Sequence, residues 1–221
     1  SCDQMLVVNR RDFKILSWDK WQTYKEIGKY MPKTFWVGEL NNVSKVVNEV
    51  KTKNIVFKPF NSLKGNDIFI GKKEDLKFFK PERQGRKYIL QEFVDTSCGI
   101  PNLTEGMHDL RVVIINNKVV WSHIRVPAKG TFLANAAQGG SLTEIDYEKV
   151  PKGVKKIVKD ISNRFYKKYD NPVFSIDFGI NEKGDPKIFE INDQIGFPRW
   201  EMKNRDVFLK ALVENFKSKI I

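Results

Sequence analysis

The chain has 221 residues, room for one large domain or two small lobes. Apolar residues make up 41% of it, and 39 Lys and Arg outnumber 27 Asp and Glu to give a net charge of +12. A core can therefore form, and the charge suits anionic partners: nucleotides, acidic peptides, nucleic acid or a membrane surface. Two cysteines, Cys2 and Cys98, with no CxxC argue against a disulfide scaffold and for a reduced, cytoplasmic setting. No apolar run approaches a membrane span of roughly 18 residues, and no signal peptide opens the chain. His108 and His123 lack a metal-ligand spacing, and the start Ser1-Cys2-Asp3, without Met, is the start expected of a trimmed chain.

Residues 5–8 read as a short strand. Asp19-Lys20 opens a helix to about Tyr30, ended by Pro32. Asn42 is expected to cap a second helix running to Val50, with Val43, Val46, Val47 and Val50 on one stripe. Ile55-Val56-Phe57 reads as a buried strand stopped by Pro59, residues 61–66 as a polar loop, and residues 68–70 and 88–94 as strands. A long loop over 95–107 precedes a hairpin, 110–115 with 118–126, across Asn116-Asn117. A basic helix follows over 151–169, with Val154, Ile157, Val158 and Ile161 inward. Strands over 173–180 and 187–192 and a helix over about 206–219 complete the chain. Frequent hairpins without strict βαβ alternation predict an α+β fold with antiparallel sheets.

The late hairpin carries a carboxylate pair. Phe174, Ile176, Phe178 and Ile180 alternate with Ser175, Asp177 and Gly179, which puts Asp177 on the face opposite the core. In the next strand Phe189 and Ile191 alternate with Glu190 and Asn192. Pairing Ile180 with Lys187 sets Asp177 opposite Glu190 and Ser175 opposite Asn192. Carboxylates facing across a ladder repel. A divalent cation removes that penalty, and the Asp, Glu and Asn oxygens suit Mg²⁺. The plainer alternative is an acidic face balanced by nearby Lys or Arg.

Lys58 ends a core strand beside a loop, where its ammonium can meet a phosphate as a point charge. The loop over 61–66 could close on phosphates with backbone N–H groups, although its one glycine makes no Walker A pattern. The alternative is a surface turn with a snorkelling lysine. In the first hairpin, pairing of Val113, Ile114 and Ile115 with Val120, Val119 and Lys118 continues toward Arg111 and Arg125, which would then project near one another unless a bulge moves either. The alternative for these two is ordinary surface ion pairing.

Taken in order, these pieces resemble the ATP-grasp superfamily: Asp19-Lys20, Phe57-Lys58-Pro59, Gln91-Glu92-Phe93-Val94, His108-Asp109-Leu110-Arg111, Ile124-Arg125, Asn135 with Gly139-Gly140, Ser175-Ile176-Asp177-Phe178 and Phe189-Glu190-Ile191-Asn192. Each piece is short; their order and spacing are more specific. The chain is most similar to the glutathione-synthetase-like branch, which includes enzymes that add glutamate to a ribosomal protein or join peptides. The resemblance implies two α+β lobes with antiparallel sheets and Mg·ATP between them. It divides the chain into 1–18 as remnant or linker, 19–90 as first lobe and 91–221 as second lobe.

The same resemblance implies roles. Lys20 and Lys58 reach the ATP phosphates. Gln91, Glu92, Phe93 and Val94 form the interlobe hinge that reads the adenine edge. Arg111 and Arg125 face the γ-phosphate and an acyl phosphate, and Asp177, Glu190 and Asn192 hold Mg²⁺. The implied activity is an ADP-forming carboxylate–amine ligase acting on amino acids or an acidic peptide. The sequence departs from the family in its glycine-poor loop after Lys58, in Ile195-Gly196 where Pro-Gly is usual, and in the short segment before Lys20, where members carry a further substrate-binding α/β domain. The alternatives are an ATP-binding module without ligase activity, favoured by that short segment, and a nucleic-acid binder suggested by +12 and by Trp18, Trp21, Phe35 and Trp36. The spacing of those aromatics suits core or interface positions better, so neither nucleic acid nor membrane is an expected partner.

Overall fold

The computed structural model describes residues 7–62, 67–128, 130–132 and 140–220. Within them two antiparallel sheets carry the architecture. The smaller comprises β1 (Thr34–Glu39), β2 (Asn54–Pro59), β3 (Phe69–Lys72) and β4 (Lys87–Glu92) in the order β1-β4-β2-β3. The larger comprises β5 (Asp109–Ile115), β6 (Lys118–Val126), β7 (Ser141–Glu144), β8 (Phe174–Ile180) and β9 (Pro186–Asn192) in the order β7-β6-β5-β8-β9. This is the expected α+β arrangement. The residues expected as a first strand are outside the described part up to position 6, and Val7 and Val8 are not in a strand.

Two-residue periodicity gives the large sheet two different faces. Leu110, Val112, Ile114, Ile124, Ile176, Phe178 and Ile191 point to one side. There they meet Val154, Ile157, Val158, Ile161 and Phe165 of α4 (Lys152–Lys168), a helical stripe at 3.6-residue spacing. The same core takes Phe13 and Leu16 of α1 (Arg11–Trp18) and Ile27 of α2 (Lys20–Ile27). The segment before Lys20, read as remnant or linker, thus contains a helix whose Phe13 ring meets Phe165 edge-on at 5.7 Å. Its register, Phe13 with Leu16, is too short a pattern to stand out in sequence.

The small sheet has its own core, with Val37, Val50, Ile55, Phe57, Leu76, Tyr88 and Leu90. The valine-rich helix expected over 42–50 does not form as one piece. It splits into α3 (Val43–Val46) between short 3-10 turns, and the side chain of Asn42 makes no cap bond. Four β-branched valines in eight residues restrict rotamers against the preceding turn and weaken a continuous helix. They still cover the sheet: Val50 is buried, and Val43, Val46 and Val47 pack at its margin.

Two bulges decide which side chains share a face. Asn116 and Asn117 adopt positive φ of 52° and 57°, the two-residue turn that matches strand twist. Contrary to the expectation that an unbulged ladder brings the two arginines together, a strict ladder from that turn would pair Arg111 with Ser122 and send Arg125 to the opposite face. A bulge between Val113 and Ile114, which leaves Val120 unpaired, instead pairs Arg111 with His123 and Asp109 with Arg125. Both arginines then share one face. In β8–β9, Ile180 pairs with Pro186 rather than Lys187, and a bulge at Phe189 restores Asp177 opposite Glu190 and Ser175 opposite Asn192. Phe189 is consequently not the core residue its alternation suggested. Ile188 takes that place, and Phe189 turns toward the site.

Candidate active site

The face of the large sheet away from α4 carries a polar row across four strands: His123, Arg111, Asp177 and Glu190 are successive partners on β6, β5, β8 and β9. The row borders a cavity of about 350 Å³ lined from both sheets. Every residue given a binding, catalytic or metal role from the sequence lines it: Lys20, Lys58, Gln91, Glu92, Phe93, Val94, Arg111, Arg125, Asp177, Glu190 and Asn192. The expected positions Asn135, Gly139 and 63–66 of the loop after Lys58 lie outside the described residues.

One end of the cavity is cationic. Lys20 begins α2, whose N-terminus Asp19 caps by accepting from the N–H groups of Trp21 and Gln22. The Lys20 ammonium donates to the Ser62 carbonyl at 2.7 Å and pairs with Glu190 at 3.0 Å. Lys58 is buried and donates to Gln91 Oε1 at 3.1 Å, and Gln91 in turn donates to Thr34 at 2.8 Å. Burial pushes Lys58 down to about 8, against the pull of Glu190. Among the described residues this buried ammonium is hydrogen-bonded only by a neutral amide, so it is electrostatically under-compensated and would favour an anion beside it.

The centre is an arginine–carboxylate cluster. Arg111 grips both oxygens of Asp177 at 2.6 and 2.7 Å. Arg125 bridges Asp177 at 2.9 Å and Asp109 at 2.5 Å, and Asn192 Nδ2 donates to Asp177 at 3.1 Å. Although burial opposes ionisation, the two guanidinium groups hold the Asp177 carboxyl well below the usual range. Asp109 is raised, by burial first and then by the charge of Asp177. His123, beneath the arginines and 4.0 Å from the Trp121 ring, is pushed down to about 3 by burial and by both guanidinium charges, and stays neutral. Asp109 Oδ1 and Arg125 Nε are buried without a partner among the described residues, an acceptor and a donor side by side at the cavity.

The expected repulsion between Asp177 and Glu190 is therefore cancelled by arginine and lysine, the alternative weighed from sequence. Among the described residues no group of three or more His, Cys, Asp or Glu could hold a metal. Two carboxylates and an amide nevertheless remain at one spot. Asp177 Oδ1 accepts a single bond, and Asn192 uses its nitrogen on Asp177, leaving its oxygen for a ligand. Such hard oxygen donors fit Mg²⁺ when phosphate and water complete the shell.

The remaining lining is largely apolar, with Val56, Ile68, Ile70, Phe93, Val94, Met107 and Phe189. Phe189 lies here because Gly179 leaves room: a Cβ on Gly179 would stand 2.0 Å from the Phe189 ring. Along residues 91–94, the stretch expected as a hinge, the Glu92 N–H donates to the Lys33 carbonyl at 2.9 Å and the Phe93 N–H to Thr52 at 3.2 Å. The Glu92 carboxylate accepts from the Lys51 N–H. Glu92 and Phe93 thus spend their backbone donors on the small sheet. Asp109 and Phe189 were not assigned roles from sequence. Asp109 stood in a quoted motif, and its burial beside Arg125 is what distinguishes it; the bulge that frees Phe189 left no sequence signal.

No curated protein matches this sequence. Among solved structures, the chain is similar to the ATP-grasp ligase PsnB complexed with a minimal precursor, at 16% identity and TM-score 0.62, covering 95% of this chain and 63% of that one. It is also similar to the D-cycloserine synthetase DcsG, at 13% identity and TM-score 0.65, covering 95% and 73%. A third likeness is to the VanG D-Ala:D-Ser ligase from Enterococcus faecalis, at 14% identity and TM-score 0.61, covering 91% and 62%. The chain spans about 63% of the length of the PsnB structures it matches, and one of these holds Mg and ADP with the precursor. These likenesses show the fold. A family profile described as the RimK-like ATP-grasp domain matches residues 17–212, and the chain belongs to that family.

Proposed function

We propose that the protein is an ADP-forming carboxylate–amine ligase that binds Mg·ATP between its two sheets. The observation that carries this reading is the convergence, on one cavity, of two lysines, an arginine pair and an oxygen-rich triad beside an apolar slot. A substrate carboxylate is phosphorylated by ATP to an acyl phosphate. An amine then attacks the acyl carbon; the C–N bond forms, the C–O bond to phosphate breaks, and an amide, ADP and phosphate result. Lys20 and Lys58 hold the phosphates. Asp177, Glu190 and Asn192 would hold Mg²⁺, which neutralises phosphate charge. Arg111 and Arg125 are preorganised by Asp177 and stabilise the charge that moves onto the acyl phosphate.

Asp109, raised by burial and facing the cavity, accepts the proton of the attacking amine. Phe189, Ile70 and Met107 enclose the adenine, and Val94 supplies the hinge N–H that reads its edge. The working division of the chain is 19–90 and 91–221 as the lobes, with α1 and α2 docked on the second. The substrates are a carboxylate and an amine, amino acids or an acidic peptide among them, and the cytoplasm is the setting because it supplies Mg·ATP and keeps Cys98 reduced. No helix among the described residues is long and apolar enough to cross a membrane.

The test is ADP release from Mg·ATP against a panel of amino acids and acidic peptides with amine acceptors, with products read by mass spectrometry. A mass increase corresponding to loss of water between acid and amine supports the ligase. Tight Mg·ATP binding without ADP formation across the panel supports a binding module instead.

A further inference from the structure

The positive charge of the chain is concentrated away from the cavity. α4 carries Lys152, Lys155, Lys156, Lys159, Arg164, Lys167 and Lys168 against one acid, Asp160. Seven cations less one acid is half of the net charge of +12. Because α4 buries its inner stripe on the large-sheet face opposite Arg111 and Asp177, a nucleotide in the cavity leaves this charge unused. Lys152, Lys156, Lys159 and Lys167 are exposed and follow one another at helical spacing, a ridge about 22 Å long at 1.5 Å per residue. Among the described residues none of the four is ion-paired; the pairs on this helix belong to Lys155 with Glu148, and to Arg164 and Lys168 with Glu26. Asp160 is turned to Tyr30 and Lys29. A merely solvated helix face mixes signs; this ridge does not.

A second feature lies beside it. Arg164 lines a shallow surface pocket together with Trp21, Tyr24, Lys25, Glu26 and Lys29. The Trp21 and Tyr24 rings stack at 5.5 Å and 21°, and Trp36, 38% exposed, meets Trp21 at 5.8 Å. Gly28 allows the Tyr24 ring to lie flat, since a Cβ there would come within 3.1 Å of it. Aromatic faces flanked by Lys25, Lys29 and Arg164, alongside a cationic track and with the one acid, Glu26, spent on Arg164 and Lys168, are a combination that binds unpaired bases on a phosphate backbone.

We propose that this face binds single-stranded nucleic acid, with backbone phosphates along Lys152, Lys156, Lys159 and Lys167 and a base against Trp21 and Tyr24. The site is separate from the ATP cavity and independent of the ligase reading. An acidic peptide would use the lysines but not the aromatic floor. A duplex keeps its bases stacked away from that floor.

The test is fluorescence anisotropy with a dye-labelled twelve-nucleotide oligouridylate titrated with the full chain. Each phosphate contact contributes a log–log salt slope of about −0.7, so four give about −3, roughly a fiftyfold loss between 50 and 200 mM salt. The double variant Lys156→Glu/Lys159→Glu is expected to bind at least about tenfold more weakly and to flatten that slope. Trp21→Ala is expected to lose about fivefold or more at an unchanged slope, with Trp21→Phe restoring most of it. Saturating Mg·ATP leaves oligouridylate affinity unchanged. Polyglutamate, anionic vesicles or duplex RNA binding as tightly, with no effect of Trp21→Ala, would reduce the face to a general polyanion surface and overturn the proposal. So would absence of micromolar binding, or competition by Mg·ATP.

Discussion

Arg111 and Asp177 face each other across β5 and β8 and are joined by two parallel hydrogen bonds of 2.6 and 2.7 Å. Asp177 is buried and Arg111 mostly so, and Arg125 adds a third bond to the same carboxylate. Removing the carboxylate leaves two largely buried guanidinium groups without their shared counter-charge. Asp177→Asn is therefore expected to destabilise the ligand-free protein by about 3–5 kcal/mol, the range for breaking a buried ion pair. Denaturant unfolding checks this. Glu190→Gln, at the edge of the cavity and paired among the described residues with Lys20 alone, is expected to cost far less. Unchanged stability of Asp177→Asn would mean the arginines find other partners.

Acid should act through the same pair. The folded Asp177 carboxyl is depressed, so the native state binds its proton less readily than the unfolded chain does. Its contribution to stability is complete above the unfolded value near 4 and is lost as pH falls below that toward the folded value. Asp109, raised in the folded protein, works in the opposite sense: stability declines as pH rises from the unfolded value toward the folded one. Asp109→Asn should remove that second dependence and leave the first.

Lys58 gives a pH dependence of binding as well as of stability, which should rise with pH from about 8 toward the unfolded value of the lysine. With its ammonium pushed down to about 8, the free protein loses this charge as pH rises from 7 to 9, and ATP affinity should fall across that window while adenosine affinity stays level. Lys58→Ala should weaken ATP by on the order of 1.5–3 kcal/mol at neutral pH and abolish the dependence. Lys20→Ala should also weaken ATP. Calorimetry with ATP and adenosine separates these outcomes from misfolding, which would lower both.

The apolar slot depends on Gly179. Gly179→Ala must displace the Phe189 ring, because the new methyl would sit 2.0 Å from it. Adenosine and ATP should weaken in parallel, and Phe189→Ala should do the same. A loss confined to ATP would take Phe189 out of the adenine contact.

Much of this site was legible in sequence because its chemistry lies on short alternating strands. The run from Phe174 to Ile180 separates core from site by parity alone, and Asn116-Asn117 fixes a tight hairpin. What parity cannot show is a bulge. The ladder counted from Asn116-Asn117 would separate Arg111 from Arg125, and one unpaired residue, Val120, reunites them. A second bulge exchanged Phe189 for Ile188 in the core. The carboxylate pair was visible, and so was the alternative that Lys or Arg balances it, but that Arg111, Arg125 and Lys20 do so was not, because those residues come from other elements at long range in sequence. α1 escaped notice for want of a long periodic stripe, and the valine segment misled because a helical pattern overrode β-branched stiffness.

Arg125 should separate catalysis from binding. It meets Asp109 and Asp177, which in the proposed mechanism is the point where charge moves onto the acyl phosphate. Arg125→Ala is expected to lower turnover by roughly a hundredfold or more, as loss of one preorganised donor does, with a much smaller effect on ATP affinity. Single-turnover kinetics with an identified acid and amine reads both quantities.

The acyl phosphate itself can be traced by isotope. With a substrate acid labelled with ¹⁸O in its carboxylate, phosphorylation of that carboxylate and attack of the amine at carbon must leave one labelled oxygen on the released phosphate. Mass spectrometry of the phosphate is expected to show one ¹⁸O per amide formed. Amide and ADP formed with unlabelled phosphate would contradict an acyl-phosphate ligase at Arg111, Arg125 and Asp177.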